Sequence, residues 1–230
     1  MLLAQYAVLV AGLAELDPAG PTDCAGWTVA DLETHVALTA RGLARIAGAA
    51  VAGPPDGGGV EQWATRLPGL AEHLDAAAKG ERLALAAQVP LVEAALEHPA
   101  DRVVEQLTGR HTLRDATVFR LIEATVHGLD VGIAPHPRAL KACVKELAAA
   151  LALRYPGRSV EVRIPPYTAV QCVDGPRHTR GTPPNVVETD GVTFVRLVAG
   201  REHWAELVAQ GRVRASGERS DLAGLLPLLS

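Results

Sequence analysis

Aromatic residues are scarce in this 230-residue chain, at 3% Phe, Trp and Tyr. The core must therefore be built mainly from Ala, Leu and Val packed on helices, and little aromatic surface is left for stacking on bases. Cysteine is equally sparse. Cys24, Cys143 and Cys172 are odd in number, far apart and never in a Cys-x-x-Cys pair; this argues against a disulfide framework and a thiolate zinc site, and it suits a reducing cytoplasm. A surplus of basic charge is missing too. With 22 Lys+Arg against 26 Asp+Glu the formal net charge is −4, and the cations are scattered, so nucleic acid is not expected as a partner. No stretch reaches the roughly 20 uninterrupted apolar residues of a membrane span. The apolar start, MLLAQYAVLVAGLAELDPAG, lacks a basic leader and carries Glu15 and Asp17, so it reads as a core helix and not as a signal peptide. Walker, G-x-G-x-x-G and G-x-S-x-G patterns are absent as well.

What is present divides into two parts. Helical periodicity runs from Leu2 to about Leu16 and stops at Asp-Pro-Ala-Gly-Pro (17 to 21). Thr28 with Asp31 forms a capping box for a second helix from Val29 to about Val51. GPPDGGG (53 to 59) reads as a flexible linker, and 60 to 96 as helix broken into two or three pieces by Pro68, Gly80 and Pro90. Thr112 caps another strong helix, from Leu113 to about Ile133, and a further one covers Pro137 to Arg154.

Beyond Tyr155-Pro156-Gly157 the period changes from 3.6 to 2. SVEVRI and AVQCV alternate as strands, followed by a polar turn (174 to 185) and a strand near Val186 to Thr189. An Asp190-capped helix, a helix around His203 to Gln210, the strand RVRAS and a closing apolar helix over LAGLLPLL (222 to 229) complete the chain. The expected class is α+β in two domains: a metal-binding helical bundle over 1–136 and a smaller α+β domain over 137–230.

Glu123 and His127 are four apart on a helical segment, so both leave the same face one turn from each other. In an antiparallel bundle His35, on the second helix, could stand opposite them as a third ligand. Two imidazoles and a carboxylate suit zinc or a similar divalent ion with positions left open. The same spacing also serves an ordinary helical ion pair. Asp130 either orients His127 or is a solvated helix residue. His73, His98, His111, His136, His178 and His203 lack partners at ligand spacing and read as surface histidines. The cysteines give no sign of activation as nucleophiles.

The segments GWTVADLETHV (26 to 36) and RLIEATVHGLDVG (120 to 132) resemble the mycothiol-dependent maleylpyruvate isomerase family, which belongs to the DinB-like metal-binding four-helix bundles. ETDGVTFVRLVAGR and WAELVAQGRVRASG, within 188 to 217, resemble the sterol-carrier-like domain that follows this bundle. The resemblance implies Trp27 ahead of the first ligand helix, His35, Glu123 and His127 as metal ligands, and Asp130 behind them. It also implies mycothiol as a thiol cofactor beside the metal, an active site between the two domains, and basic residues that hold substrate carboxylates. Arg196, Arg201, Arg212 and Arg214 are the candidates for that last role.

The expected function is therefore a metal-dependent, mycothiol-using enzyme. It would act on a small electrophilic substrate by thiol transfer or by cis–trans isomerisation of the maleylpyruvate type, as an isomerase or S-transferase. The alternatives are a sterol-carrier-like binder of an apolar ligand with a structural metal, and a regulatory member of the family without turnover.

Overall fold

The computed structural model describes residues 1–49, 51–175 and 185–229, with the side chains of 71–73 left aside. The 174 to 185 turn, with His178, falls largely outside the described residues, as does the side chain of His73. The chain divides into two compact units, Met1–Ala139 and Leu140–Ser230.

In the first unit, α1 (Leu2–Leu13), α2 (Val29–Gly48), α5 (Leu85–Ala95) and α6 (Leu113–Leu129) pack against one another as a four-helix bundle. Between them lie α3 (Val60–Arg66), a 3-10 turn, and α4 (Ala71–Gly80). The capping box of α2 is formed as the sequence implies: Thr28 Oγ1 accepts from the Asp31 N–H, and Asp31 accepts in return from the Thr28 N–H at 2.9 Å. Gln5 is fully buried on α1 because both ends of its amide are satisfied. Its Nε2 donates to the Ala124 carbonyl, and its Oε1 accepts from the His136 N–H. Helix α6 ends at Leu129, and beyond it the positive φ of Gly132, +73°, lets the Ile133 N–H reach back to the Gly128 carbonyl at 2.8 Å.

The first unit also contains a hairpin not expected from the sequence. Strands β1 (Val103–Gln106) and β2 (Gly109–Thr112) pair antiparallel immediately before α6. GPPDGGG is not a free linker but is fastened to this hairpin. Asp56 pairs with Arg110, the Asp56 and Gly57 N–H groups donate to the Arg110 carbonyl, and the Gly58 carbonyl meets His111 Nδ1 at 2.9 Å. His111 is consequently no surface residue: it is 0% exposed, bonded to Thr108 and edge-on to Phe119. A Cβ on Gly57 would lie 2.2 Å from its ring, so only glycine lets the loop close over it. Trp63 stacks on Phe119 with ring centroids 4.8 Å apart, supplying the bulk that a core poor in aromatics elsewhere lacks.

The second unit holds most of α7 (Pro137–Arg154) and a mixed four-stranded sheet in the order β4-β3-β5-β6. Strand β3 (Val160–Ile164) pairs antiparallel with β4 (Thr168–Cys172) and parallel with β5 (Val186–Thr189), which pairs antiparallel with β6 (Val213–Ser216). Val160, Val162 and Ile164 are buried and their neighbours half-exposed, the alternation read from SVEVRI. Helices α8 (Gly191–Val198) and α9 (Trp204–Ala209) join β5 to β6, and Asp190 caps α8. The expected closing helix is only a 3-10 turn, Ala223–Leu225. Gly224 and Pro227 break the helical ladder, and the Leu228 N–H donates instead to the Val198 carbonyl. No helix among the described residues is long and apolar enough to cross a membrane.

Candidate metal centre

Helix α2 turns a stripe of Leu32, His35, Val36, Thr39 and Leu43 inward, so His35 is buried with the aliphatic residues around it. On α6, Arg120, Glu123 and His127 recur at three- and four-residue spacing and share one face. The bundle brings the two imidazoles together, with ring centroids 4.9 Å apart and planes at 78°. Trp27, in the loop before α2, covers both rings at 5.1 Å from His35 and 6.1 Å from His127. Its indole N–H is held by Asp75 of α4 at 2.7 Å.

Behind His127 lies a hydrogen-bonded cluster. Asp130 Oδ2 stands 2.9 Å from His127 Nδ1 and accepts from Cys24 Sγ at 3.1 Å; the Asp130 side chain is 0% exposed. Cys24 reaches this point because the Asp23 N–H donates to the Asp130 carbonyl, which ties the turn to the end of α6. Among the described residues, Cys24, His127 and Asp130 are the group whose donor atoms all lie within 4.8 Å of one another. This group could itself hold a metal ion; without one the same contacts, with Cys24 Sγ also 3.8 Å from His127 Nδ1, hold the imidazole from behind. The sequence reading set Cys24 aside as incidental. The signal it carried was its place three residues before Trp27, in the turn leading into the ligand-bearing helix.

The two histidines carry opposite electrostatics. Burial, with His127 and Arg120 nearby, holds the His35 pKa well below the usual imidazole value, so His35 is neutral at pH 7. Burial also opposes charge on His127, but Asp130 and Cys24 outweigh it and hold its pKa up at about 9. With Nδ1 against Asp130, Nε2 is the ring nitrogen of His127 not engaged by that carboxylate.

Glu123 stands apart from the cluster. Its Oε2 lies 2.9 Å from Arg120 Nη1, yet it is buried without a hydrogen bond, as is Arg120 Nε. Arg120 therefore neutralises Glu123 as an ion pair that lacks hydrogen-bond geometry. His35, His127 and Glu123 are the donor types that a divalent cation takes, but these three are not among the groups whose ligand atoms all lie within 4.8 Å of one another among the described residues.

The site opens into a cavity of about 640 Å³ lined by His35, Leu38, Leu43, Ile46, Leu74 and Arg120, among others. Three of the C-terminal arginines expected to bind anions make polar contacts within their own unit. Arg196 and Arg212 both pair with Glu202, and Arg201 donates to the Ala199 carbonyl. Arg214, 80% exposed, lies 4.0 Å from Glu188.

Residues 2–132 match the family described as the mycothiol maleylpyruvate isomerase N-terminal domain, and residues 137–228 match the bacterial SCP ortholog family. A search of the curated proteins finds no match. Among solved structures, the mycothiol-dependent maleylpyruvate isomerase is similar at 18% identity with a TM-score of 0.58, and its H52A mutant at 17% and 0.56. Each likeness covers 95% of this chain and 91% of the other. At such identity the likeness speaks for the fold alone.

Proposed function

Because this chain belongs to the mycothiol maleylpyruvate isomerase N-terminal domain family, we propose that it is a metal-dependent, mycothiol-using enzyme. Its substrate would be a small electrophile that it isomerises or joins to the thiol. The observation that carries this reading is the approach of the His35 and His127 rings to 4.9 Å, with Asp130 fixing the second ring from behind. In this proposal His35, Glu123 and His127 hold the ion, a zinc. When bound, such an ion supplies Lewis acidity, lowering the pKa of a thiol or water beside it and polarising a carbonyl.

The chain's own residues perform the rest. Asp130 keeps the Nδ1 proton on His127 and directs Nε2 inward. Trp27, anchored by Asp75, shields both imidazoles from solvent on one side and so limits water at the reacting atoms. Arg120 offers a cation at the inner end of the cavity.

The test is metal analysis of protein purified without chelators, alongside mycothiol-dependent conversion of maleylpyruvate by wild type, His35→Ala and His127→Ala. The reading expects about one zinc per chain and loss of both metal and turnover in the variants. A chain that takes up no zinc, or a His127→Ala variant that turns over at the wild-type rate, would sink it. A second reading, a carrier of apolar ligands, draws on a separate cavity of about 280 Å³ in the C-terminal unit, lined by Leu197, Trp204, Leu226 and Pro227 among others. Lipid that co-purifies in stoichiometric amount, with no thiol-dependent turnover, would favour it.

A further inference from the structure

Cys24 and Asp130 meet His127 on the Nδ1 side of its ring, and the three donor atoms are spaced as ligands are around an ion. Cys24 Sγ lies 3.1 Å from Asp130 Oδ2 and 3.8 Å from His127 Nδ1, which is 2.9 Å from the same carboxylate oxygen. Bonds of ~2.0–2.3 Å to a tetrahedral ion set its ligand atoms roughly 3.3–3.6 Å apart, so shifts of a few tenths of an ångström turn this triangle into one face of a coordination sphere. The frame behind the triangle does not use the ligand atoms. His127 stands in the last turn of α6 and Asp130 is its C-cap. The Cys24 N–H donates to Thr22 Oγ1 at 3.0 Å, the Cys24 carbonyl accepts from the Trp27 N–H at 3.0 Å, and the Asp23 N–H donates to the Asp130 carbonyl at 2.9 Å. The Asp130 side chain is wholly buried, whereas Ala25 and Gly26 beside Cys24 are exposed, which leaves an approach from solvent on the thiol side.

We propose that Cys24 Sγ, Asp130 Oδ2 and His127 Nδ1 form a second metal site, for zinc and similar thiophilic divalent ions, and that an ion held there excludes one on the other nitrogen of His127. One thiolate, one imidazole and one carboxylate suit a tetrahedral ion with water in the fourth position, whereas magnesium and calcium take oxygen ligands. The two anionic ligands cancel the double charge of the ion, so this largely buried place gains no net charge. Binding releases the thiol proton of Cys24 and the Nδ1 proton of His127, and the neutral imidazole keeps its one hydrogen on Nε2. An Nε2 that carries a hydrogen has no lone pair for a metal, so the ring serves one ion at a time. The cluster is then a brake, because an ion behind His127 withdraws that ring from the site it shares with His35. The second site stands independently of the enzymatic reading above; the exclusion alone rests on that reading.

Titration of cobalt(II) into the full chain, with excess magnesium present, tests the proposal in wild type, Cys24→Ser, Asp130→Ala and His35→Ala. The readouts are thiolate-to-cobalt charge-transfer absorption in the near ultraviolet and the cobalt content of the saturated protein. Wild type is expected to develop the absorption and to hold one cobalt per chain. Cys24→Ser should lose the absorption yet still bind one cobalt, through the other nitrogen of His127. Asp130→Ala should weaken the thiolate-bound cobalt by at least the ~10–100-fold that loss of a supporting group costs; if it fails to fold by circular dichroism, Cys24→Ser decides alone. His35→Ala leaves the triangle whole and should keep the absorption at wild-type affinity or tighter. No absorption in wild type, absorption that survives Cys24→Ser or vanishes in His35→Ala, or thiolate-bound cobalt within twofold of wild type in Asp130→Ala overturns the site. Two cobalt ions per wild-type chain overturn the exclusion. A Cys24→Ser variant that binds no cobalt, beside a wild type with the absorption, would leave the second site standing and defeat the metalloenzyme reading.

Discussion

Replacing Asp130 separates the bracket behind His127 from the imidazole itself. The carboxylate is wholly buried and carries two contacts through one oxygen, His127 Nδ1 at 2.9 Å and Cys24 Sγ at 3.1 Å. In Asp130→Asn the amide oxygen can still accept from Nδ1–H, so the ring keeps its tautomer and orientation and loses only the negative charge behind it. Asp130→Ala removes both, leaving the buried Nδ1–H with only the weak sulfur acceptor of Cys24 at 3.8 Å. Groups that orient a metal-binding histidine from behind are worth about 10–100-fold in affinity. The Asn variant should fall near the lower figure, about 1.4 kcal/mol, and the Ala variant near the upper, about 2.7 kcal/mol. Competition for zinc against a chromogenic chelator at fixed pH measures both, with far-UV circular dichroism to confirm that α6 persists. An Ala variant within twofold of wild type, or an Asn variant weaker than the Ala variant, would refute the reasoning.

Other consequences follow from the packing and the caps. Trp63→Ala empties a fully buried site stacked on Phe119 and should cost about 3–5 kcal/mol in urea unfolding; a loss below 1 kcal/mol would mean the pair is not part of the core. Thr28→Ala removes the side-chain cap of α2 and should cost about 1 kcal/mol, read from the same unfolding curves. The hydrogen bonds from Thr28, aided by Arg82, hold the Asp31 pKa down to about 2. A depressed carboxylate stabilises the fold above its unfolded pKa of 3.8 and loses that contribution as pH falls toward 2. Asp31→Asn should therefore melt below wild type at pH 6 and converge with it near pH 2; an equal gap at both pH values would contradict the assignment.

The local signals that survive in the structure are those set by chemistry within a few residues. Thr28-x-x-Asp31 and Asp190 cap the helices they precede, and the alternation of SVEVRI is the alternation of β3. What sequence reading missed depends on contacts across long stretches of chain. His111 looked like a surface residue because nothing near it in sequence foretells that GPPDGGG folds back over the hairpin. Cys24 looked incidental because its partner, Asp130, lies 106 residues away. LAGLLPLL has the composition of a core helix, but Gly224 and Pro227 deny it the backbone bonds. At the site, spacing placed Glu123 and His127 on one face, yet it could not reveal that Arg120, one turn earlier, would stand against the carboxylate.

The position of Trp27 makes the molecule its own optical sensor. Of the three tryptophans, Trp63 is sealed against Phe119 and Trp204 lies in the other unit, whereas the Trp27 indole touches the surroundings of both imidazoles. Whatever fills or empties the space between those rings alters the polarity and charge next to one fluorophore, so occupancy can be followed by emission in the unlabelled protein.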